Sequence, residues 1–349
     1  MKNKFIYILL SLAAVLPFTA CDDDDEETSD SITIVSSDLL FDAAASTGSL
    51  TFEAEGSVSV STDSEWCTAT VSGNTVTVSV TENSDISGRS TRLHLTNSSE
   101  TVSVTVQQQG MRFYIEDGSS AIVVGDDAAT EAFTITTNLD LSSISLSQTD
   151  DDWFTASINS DGDLELELSE NSTGHVREGA IYYSFSEVSG TIPVYQFDFD
   201  TDIAGTVIFM YATSSGGTTN ATSATLSTSG LTFTYDSTKY TIPLTFLEEK
   251  LKFRLFMGQY CGKYSSYYVY TVITGGGYIG WGSSYYIELP IAYDSSTNIT
   301  TMEFTDVGAF SYGYDCIGLY AFTDTSLSSS TMSGSVLSIY DGKLMRYKQ

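Results

Sequence analysis

Basic residues are scarce in this 349-residue chain: 14 Lys and Arg face 45 Asp and Glu, for a formal net charge of -31. A surface of that sign repels phosphate, which excludes nucleic acid as a partner. Two His and four Cys leave little material for transition-metal or Cys/His chemistry, so neither a metal site nor a cofactor is expected. The one glycine triplet, Gly275-Gly276-Gly277, lacks the Lys and Ser/Thr of a phosphate loop. The many acids supply carboxylate pairs by chance, yet no pair stands out as a glycosidase couple. No catalytic residue is assigned, and no enzymatic activity is expected. Apolar residues reach 41%, enough for packed cores, and the length is a soft prior for two or three domains.

The N-terminus reads as an address. Lys2 and Lys4 precede the apolar run Phe5 to Leu16, which Pro17 ends. Twelve residues are too few for a bilayer core of roughly 30 Å, which needs about 20. Residues 1–20 therefore read as a signal peptide. Phe18-Thr19-Ala20-Cys21 resembles a lipobox, which implies lipidation of Cys21. Phe18 departs from the usual Leu or Val, and an ordinary secretory signal with an incidental cysteine is the alternative. Two or more acyl chains would anchor stably where one would not. Residues 21–30 continue into six consecutive acids, 22–27, whose self-repulsion keeps them extended as a tether. That run resembles the lipoprotein export signal of Bacteroidetes. The resemblance implies an outer-membrane, lipid-anchored protein facing the cell exterior, touching the membrane only through its anchor.

Charge and tyrosine divide the remainder. Residues 22–200 carry a net charge of -30 and residues 201–349 only -3, while 17 of the 22 tyrosines follow residue 200. Within the acidic half, Glu82-Asn83-Ser84 recurs as Glu170-Asn171-Ser172, Arg89 as Arg177 and Gln108 as Gln196, each 88 residues on. Trp66 recurs as Trp153, one residue out of step, across a changed hairpin turn. Val76, Val78 and Val80, then Val102, Val104 and Val106, alternate with Ser and Thr; Leu164, Leu166 and Leu168 alternate with acids. Period two with one apolar face predicts antiparallel strands half-buried in sandwiches.

These residues, in this order, resemble the BACON domain, a Bacteroidetes-associated and often N-terminal module. Residues 31–110 form the clearer copy and 111–199 a divergent one, in which Phe197-Asp198 replaces the family's closing x-Gly. The resemblance implies two tandem Ig-like β-sandwiches and a carbohydrate-binding role. Trp66 and Trp153 are read as core. Arg89 and Arg177, with five donors each, are read as fastening the bend before a strand through backbone carbonyls. Cys67 is read as a small buried thiol.

Residues 200–349 are also β, patterned for an eight- to ten-stranded antiparallel sandwich or jelly roll. The fold class is thus all-β. Residues 260–282 concentrate aromatics: Tyr268 and Tyr270 in a strand, then the glycine triplet presenting Tyr278 and Trp281. Aromatic faces stack on sugar C–H faces, so Trp281, Tyr278, Tyr268 and Tyr270 are the candidate ligand-binding residues. Ordinary packing of a Tyr-rich sheet is the competing reading. Cys261 and Cys316 are candidates for a disulfide, which export would permit. The expected function is non-catalytic binding of polysaccharide or glycoprotein glycans at the cell surface, with the repeats largely a stalk. The alternative is an adhesin or scaffold component binding a protein partner in a surface complex.

Overall fold

Where apolar and polar residues alternate, the chain forms strands. The computed structural model describes residues 31–116, 120–149 and 152–347. The signal segment, Cys21 and the acidic run lie outside the described residues. Among the described residues no helix is long and apolar enough to cross a membrane.

The first sandwich pairs two four-stranded sheets. One runs Thr33–Asp38, Ser46–Glu53, Thr75–Val80, Cys67–Ser72; the other runs Leu40–Phe41, Thr101–Gln108, Arg89–Thr96, Ser59–Thr62. Val76, Val78, Leu50, Leu93 and Leu95 are fully buried between them. Each such side chain contributes about 1.5–3 kcal/mol by leaving water. Trp66 packs half-buried on this core, and Cys67 lies within it. The second sandwich repeats this strand order except at its first strand, Phe113–Ile115, which pairs with Ile135–Thr137 in a separate two-stranded sheet. Ile122–Val124, Val188–Gln196, Arg177–Phe185 and Ser145–Gln148 face Ala129–Phe133, Leu164–Leu168 and Phe154–Ile158. Leu164 and Leu166 are fully buried, and Trp153 packs on that core as Trp66 does on the first.

The recurring polar residues form the same knot in both copies. Asn83 donates from Nδ2 to the carbonyls of Ser87 (2.9 Å) and Gln109 (3.0 Å), and its backbone N–H donates to Ala43 (2.8 Å). Asn171 donates to the carbonyls of His175 (3.1 Å) and Gln196 (3.3 Å), and its N–H to Asp126 (2.7 Å). Arg89 donates from Nε to Gln108 Oε1 (2.9 Å) and from Nη2 to the Glu82 carbonyl (3.0 Å). Arg177 donates to Gln196 Oε1 (3.2 Å) and to the Ser169 carbonyl (3.4 Å). Asn83, Gln108, Asn171 and Gln196 are all buried, where an unpaired amide would cost about 1–3 kcal/mol. The arginines thus fasten the bend, as their donor count predicts.

The described chain divides into two compact units. One is the first sandwich without its 42–44 and 82–89 loops; the other comprises those loops and everything from Gln108 on. In the second unit, Ala43 shares a small cluster with Met111, Ile144 and Phe185.

The C-terminal body of that unit is a single 13-stranded sheet that branches. Its hub is the 16-residue strand Met332–Tyr347. The end of the hub pairs with Gly205–Ala212 and Ile299–Glu303, and its start with Cys316–Phe322. Asp341, at φ 52°, marks the bend between the two halves. There are more strands than expected because tight turns cut the aromatic segment into the short strands Tyr260–Tyr264, Tyr267–Gly275 and Tyr278–Gly280.

The branched sheet also corrects the disulfide expectation. Cys261 and Cys316 are two separate buried thiols. Cys261 sits on the strand along one edge of Tyr267–Gly275, beside Tyr270; Cys316 sits on the strand along the other edge, opposite Thr274. Two strand spacings are roughly 10 Å, beyond the reach of about 7 Å between bridged Cα atoms. Burial pushes the Cys261 thiol pKa up.

The second sandwich and the C-terminal body share one hydrophobic core, to which Val176 and Phe197 contribute alongside Ile203, Phe209 and Phe253. The helical turn Phe199–Ile203 makes the crossing. It is capped by the Asp198 side chain, which accepts from the N–H groups of Asp200 and Thr201, both at 3.0 Å. Arg346 donates to the carbonyls of Ala204 (3.0 Å), Gly174 (2.8 Å) and Thr201. His175 stacks on Tyr293 with ring centroids 3.5 Å apart.

Asp202 is buried at this crossing. Its Oδ2 accepts from Asn171 Nδ2 (3.2 Å) and the Asp198 N–H (3.1 Å), and Asn171 Nδ2 also reaches Asp126 Oδ1 (3.0 Å). Loss of water pushes the Asp202 carboxyl up to about 7 from 3.8, with the neighbouring Asp126 adding to the rise. The folded state therefore holds a proton that the unfolded chain releases. That stabilisation is complete below the ordinary carboxyl range and is lost as pH rises through about 7. Calorimetry should show the second unit melting at a lower temperature at pH 8 than at pH 5. Asp202→Asn, neutral and still able to donate toward Asp126, should remove most of that difference; an unchanged difference would rule out this carboxyl as its source.

Candidate functional site

The strand Tyr267–Gly275 has two apolar faces. Val269 and Ile273 point into the main core. Tyr268, Tyr270 and Val272 point the other way, into a second small core with Phe322, Leu327 and Trp281. Trp281 meets Phe322 edge-on, with centroids 6.2 Å apart. Tyr270 is buried and meets Phe322 at 5.7 Å and 88°. Tyr268 lies under the Lys263 ammonium, 4.6 Å from its centroid. Three of the four sequence-designated aromatics thus come together as packing, and Tyr270 offers no free face.

Tyr278 stands apart from them. It is 56% exposed and stacks on Tyr312, itself 51% exposed, with centroids 4.1 Å apart at 25°. Behind Tyr312 the contacts continue inward through Phe310 (5.4 Å) to Tyr285 (5.0 Å). The pair is therefore an exposed end of an aromatic row rooted in the fold. Both tyrosines are more than half exposed, and a tyrosine offers a ring for stacking on sugars and a hydroxyl for hydrogen bonding.

Glycine makes the stacking possible. Gly275 and Tyr278 are cross-strand partners, and Gly276 (φ 55°) and Gly277 (φ 82°) turn between them. Positive φ at both central positions is the primed hairpin geometry that favours glycine. The turn also lies directly on the 312–313 backbone. A Cβ on Gly275 would overlap the Gly313 carbonyl oxygen, and one on Gly276 would come within 2.6 Å of the Tyr312 carbonyl oxygen. Reading the sequence missed Tyr312 because its partner lies 34 residues away. The available signal was Tyr312-Gly313, an aromatic beside a glycine as in Gly277-Tyr278.

Substitution separates close approach from backbone strain. Gly275→Ala should destabilise the second unit by about 1–3 kcal/mol in urea unfolding, because backbone must shift. Gly308→Ala, at φ 73° with no atom within 4 Å of its Cβ, should cost only about 1 kcal/mol. Equal costs would contradict the steric account.

Residues 53–109 match the model of the family described as "BACON: Putative binding domain, N-terminal". No curated protein matches the chain. Among solved structures, a chimeric titin Z1Z2 carrying a decorin peptide aligns at 9% identity and TM-score 0.25, covering 48% of this chain and 96% of that one. The titin I67–I69 triple Ig structure aligns at 9% identity and TM-score 0.24, covering 79% and 94%. An endo-fucoidan hydrolase of glycoside hydrolase family 107 aligns at 17% identity and TM-score 0.23, covering 46% of this chain and 32% of the enzyme. The matched stretch takes in Trp66, Asn83, Arg89 and Gln108, and with them all of the first sandwich's polar knot except Ala43.

Proposed function

We propose that this chain is a non-catalytic, lipid-anchored cell-surface protein that binds polysaccharide or glycoprotein glycans. In this reading Cys21 carries the anchor, residues 22–30 the tether, and the two sandwiches serve largely as a stalk. The observation that carries the reading is the exposed, glycine-held Tyr278–Tyr312 stack. The BACON match at 53–109 supports a carbohydrate-binding role for the chain as a whole. The low charge of the C-terminal half suits a neutral ligand better than an ionic one.

Affinity electrophoresis of residues 22–349 through host and plant polysaccharides tests this. The fragment should keep the second sandwich, because Val176 and Phe197 belong to the shared core. At least one polysaccharide should retard the protein. Tyr278→Ala and Tyr312→Ala should each weaken binding by about tenfold, a change of 1.4 kcal/mol. Trp281→Phe, which keeps the packing against Phe322, should bind as the wild type does. Retardation that survives both tyrosine substitutions would move the site off the stack; no retardation by any polysaccharide would remove the reading.

A further inference from the structure

A concavity lies away from the tyrosine stack, at the crossing into the C-terminal body. It encloses about 710 Å³, lined by Phe199, Leu244, Phe246, Leu247 and Phe253 with Glu248, Glu249, Asp198 and Asp200 around them. That is the size range of a built ligand site. Its floor is aromatic: Phe199 to Phe246 is 5.3 Å between centroids, and Phe246 to Phe253 is 5.1 Å. Phe199 and Phe246 are only half-buried, so apolar surface remains open to water.

Two further features define what would cover it. The first is charge. Asp198, Asp200, Glu248 and Glu249 are exposed on the rim. Of the two cations that line the groove, Arg254 is already engaged. It donates to the buried Glu288 from Nη2 (2.6 Å) and Nε (3.2 Å) and lies 4.1 Å over the Tyr286 ring. Lys250 alone opposes the four rim carboxylates. No group of three metal-ligating side chains occurs among the described residues, so the rim is not a metal cage. The second feature is backbone. Thr245–Leu247, which carries Phe246 and Leu247, ends the sheet order and pairs only with Lys252–Phe256. Its outer edge is unpaired by any described strand, which is the template for adding an extended chain.

We infer that this groove binds an extended basic–apolar peptide segment of a partner protein, added to the Thr245–Leu247 edge. An apolar side chain of the segment seats on Phe199 and Phe246, and its Lys or Arg neighbours meet Glu248, Glu249 and Asp200. The unpaired edge favours a peptide over an amino sugar or polyamine, neither of which supplies a strand of amides. The site is independent of the glycan reading and shares no residue with the tyrosine stack.

The test is fluorescence anisotropy with residues 22–349 and a fluorescein-labelled heptapeptide alternating Lys and Val around a central Phe. Binding should be saturable and should weaken by about tenfold in Glu248→Lys/Glu249→Lys. The same charge change at exposed Glu55→Lys/Glu65→Lys, on the first sandwich, should change it less than about twofold. N-methylation of the central peptide amides should abolish binding while leaving charge intact. Tyr278→Ala/Tyr312→Ala should leave it untouched. Equal loss in both charge-reversed variants would reduce the effect to diffuse attraction and overturn the inference. Full binding by the N-methylated peptide, or equally strong displacement by chitosan oligomers, would overturn it as well, the latter assigning the groove to a cationic glycan.

Discussion

A buried asparagine amide holds the end of each sandwich. Where a strand leaves one sheet and the chain bends toward the other, several backbone carbonyls converge on a buried amide. Asn83 and Asn171 satisfy those carbonyls with their Nδ2 groups, and the Arg–Gln pairs beside them close the bend from the adjacent strands. Buried polar groups that are fully paired specify one arrangement, whereas half-paired ones destabilise every arrangement. The knot joins the same bend and closing strands in both copies. The apolar positions vary between Val and Leu, while the amides and guanidiniums recur at the same spacing.

The second copy diverges at the same knot. In the first copy the knot closes on Ala43 and Gln109; in the second, Asp126 stands at the Ala43 place and Phe197-Asp198 follows Gln196 where Gln109-Gly110 follows Gln108. Phe197 is drawn into the core of the next body, Asp198 caps the crossing turn, and Asp202 returns to the Asn171 amide. The closing end of the first sandwich has become, in the second, a junction. A stalk with a hinge at residue 200 would behave differently, because here the last two bodies share apolar packing and cannot swing without exposing it.

Legibility in the sequence follows interaction range. The repeat, the inward valines and leucines, the arginine fastening and the buried Cys67 all depend on neighbours in one strand or hairpin, and alternation with fixed spacing reveals them. Tyr312 and the branched sheet depend on contacts set by strand order, which alternation does not encode. Cys261 and Cys316 looked bridgeable for that reason, since their separation across Tyr267–Gly275 appears only once the strands are ordered. Trp281 misled in a more specific way. Its flanking glycines suggested an exposed ring, yet a Cβ on Gly280 would come within 3 Å of the Phe310 and Tyr285 rings. Glycine there marks close packing.

The hub strand Met332–Tyr347 imposes an order of assembly. Each sandwich is made of strands drawn from fewer than 90 consecutive residues, so either can collapse as soon as its own segment is available. The C-terminal body cannot. Gly205–Ala212, Ile299–Glu303 and Cys316–Phe322 have no common partner until the strand that follows all of them in the chain arrives to join them. Contacts of such long sequence separation fold slowly. While the chain is threaded in an N-to-C direction, those three strands each keep one edge open, and the sheet they build is the last part of the protein to close.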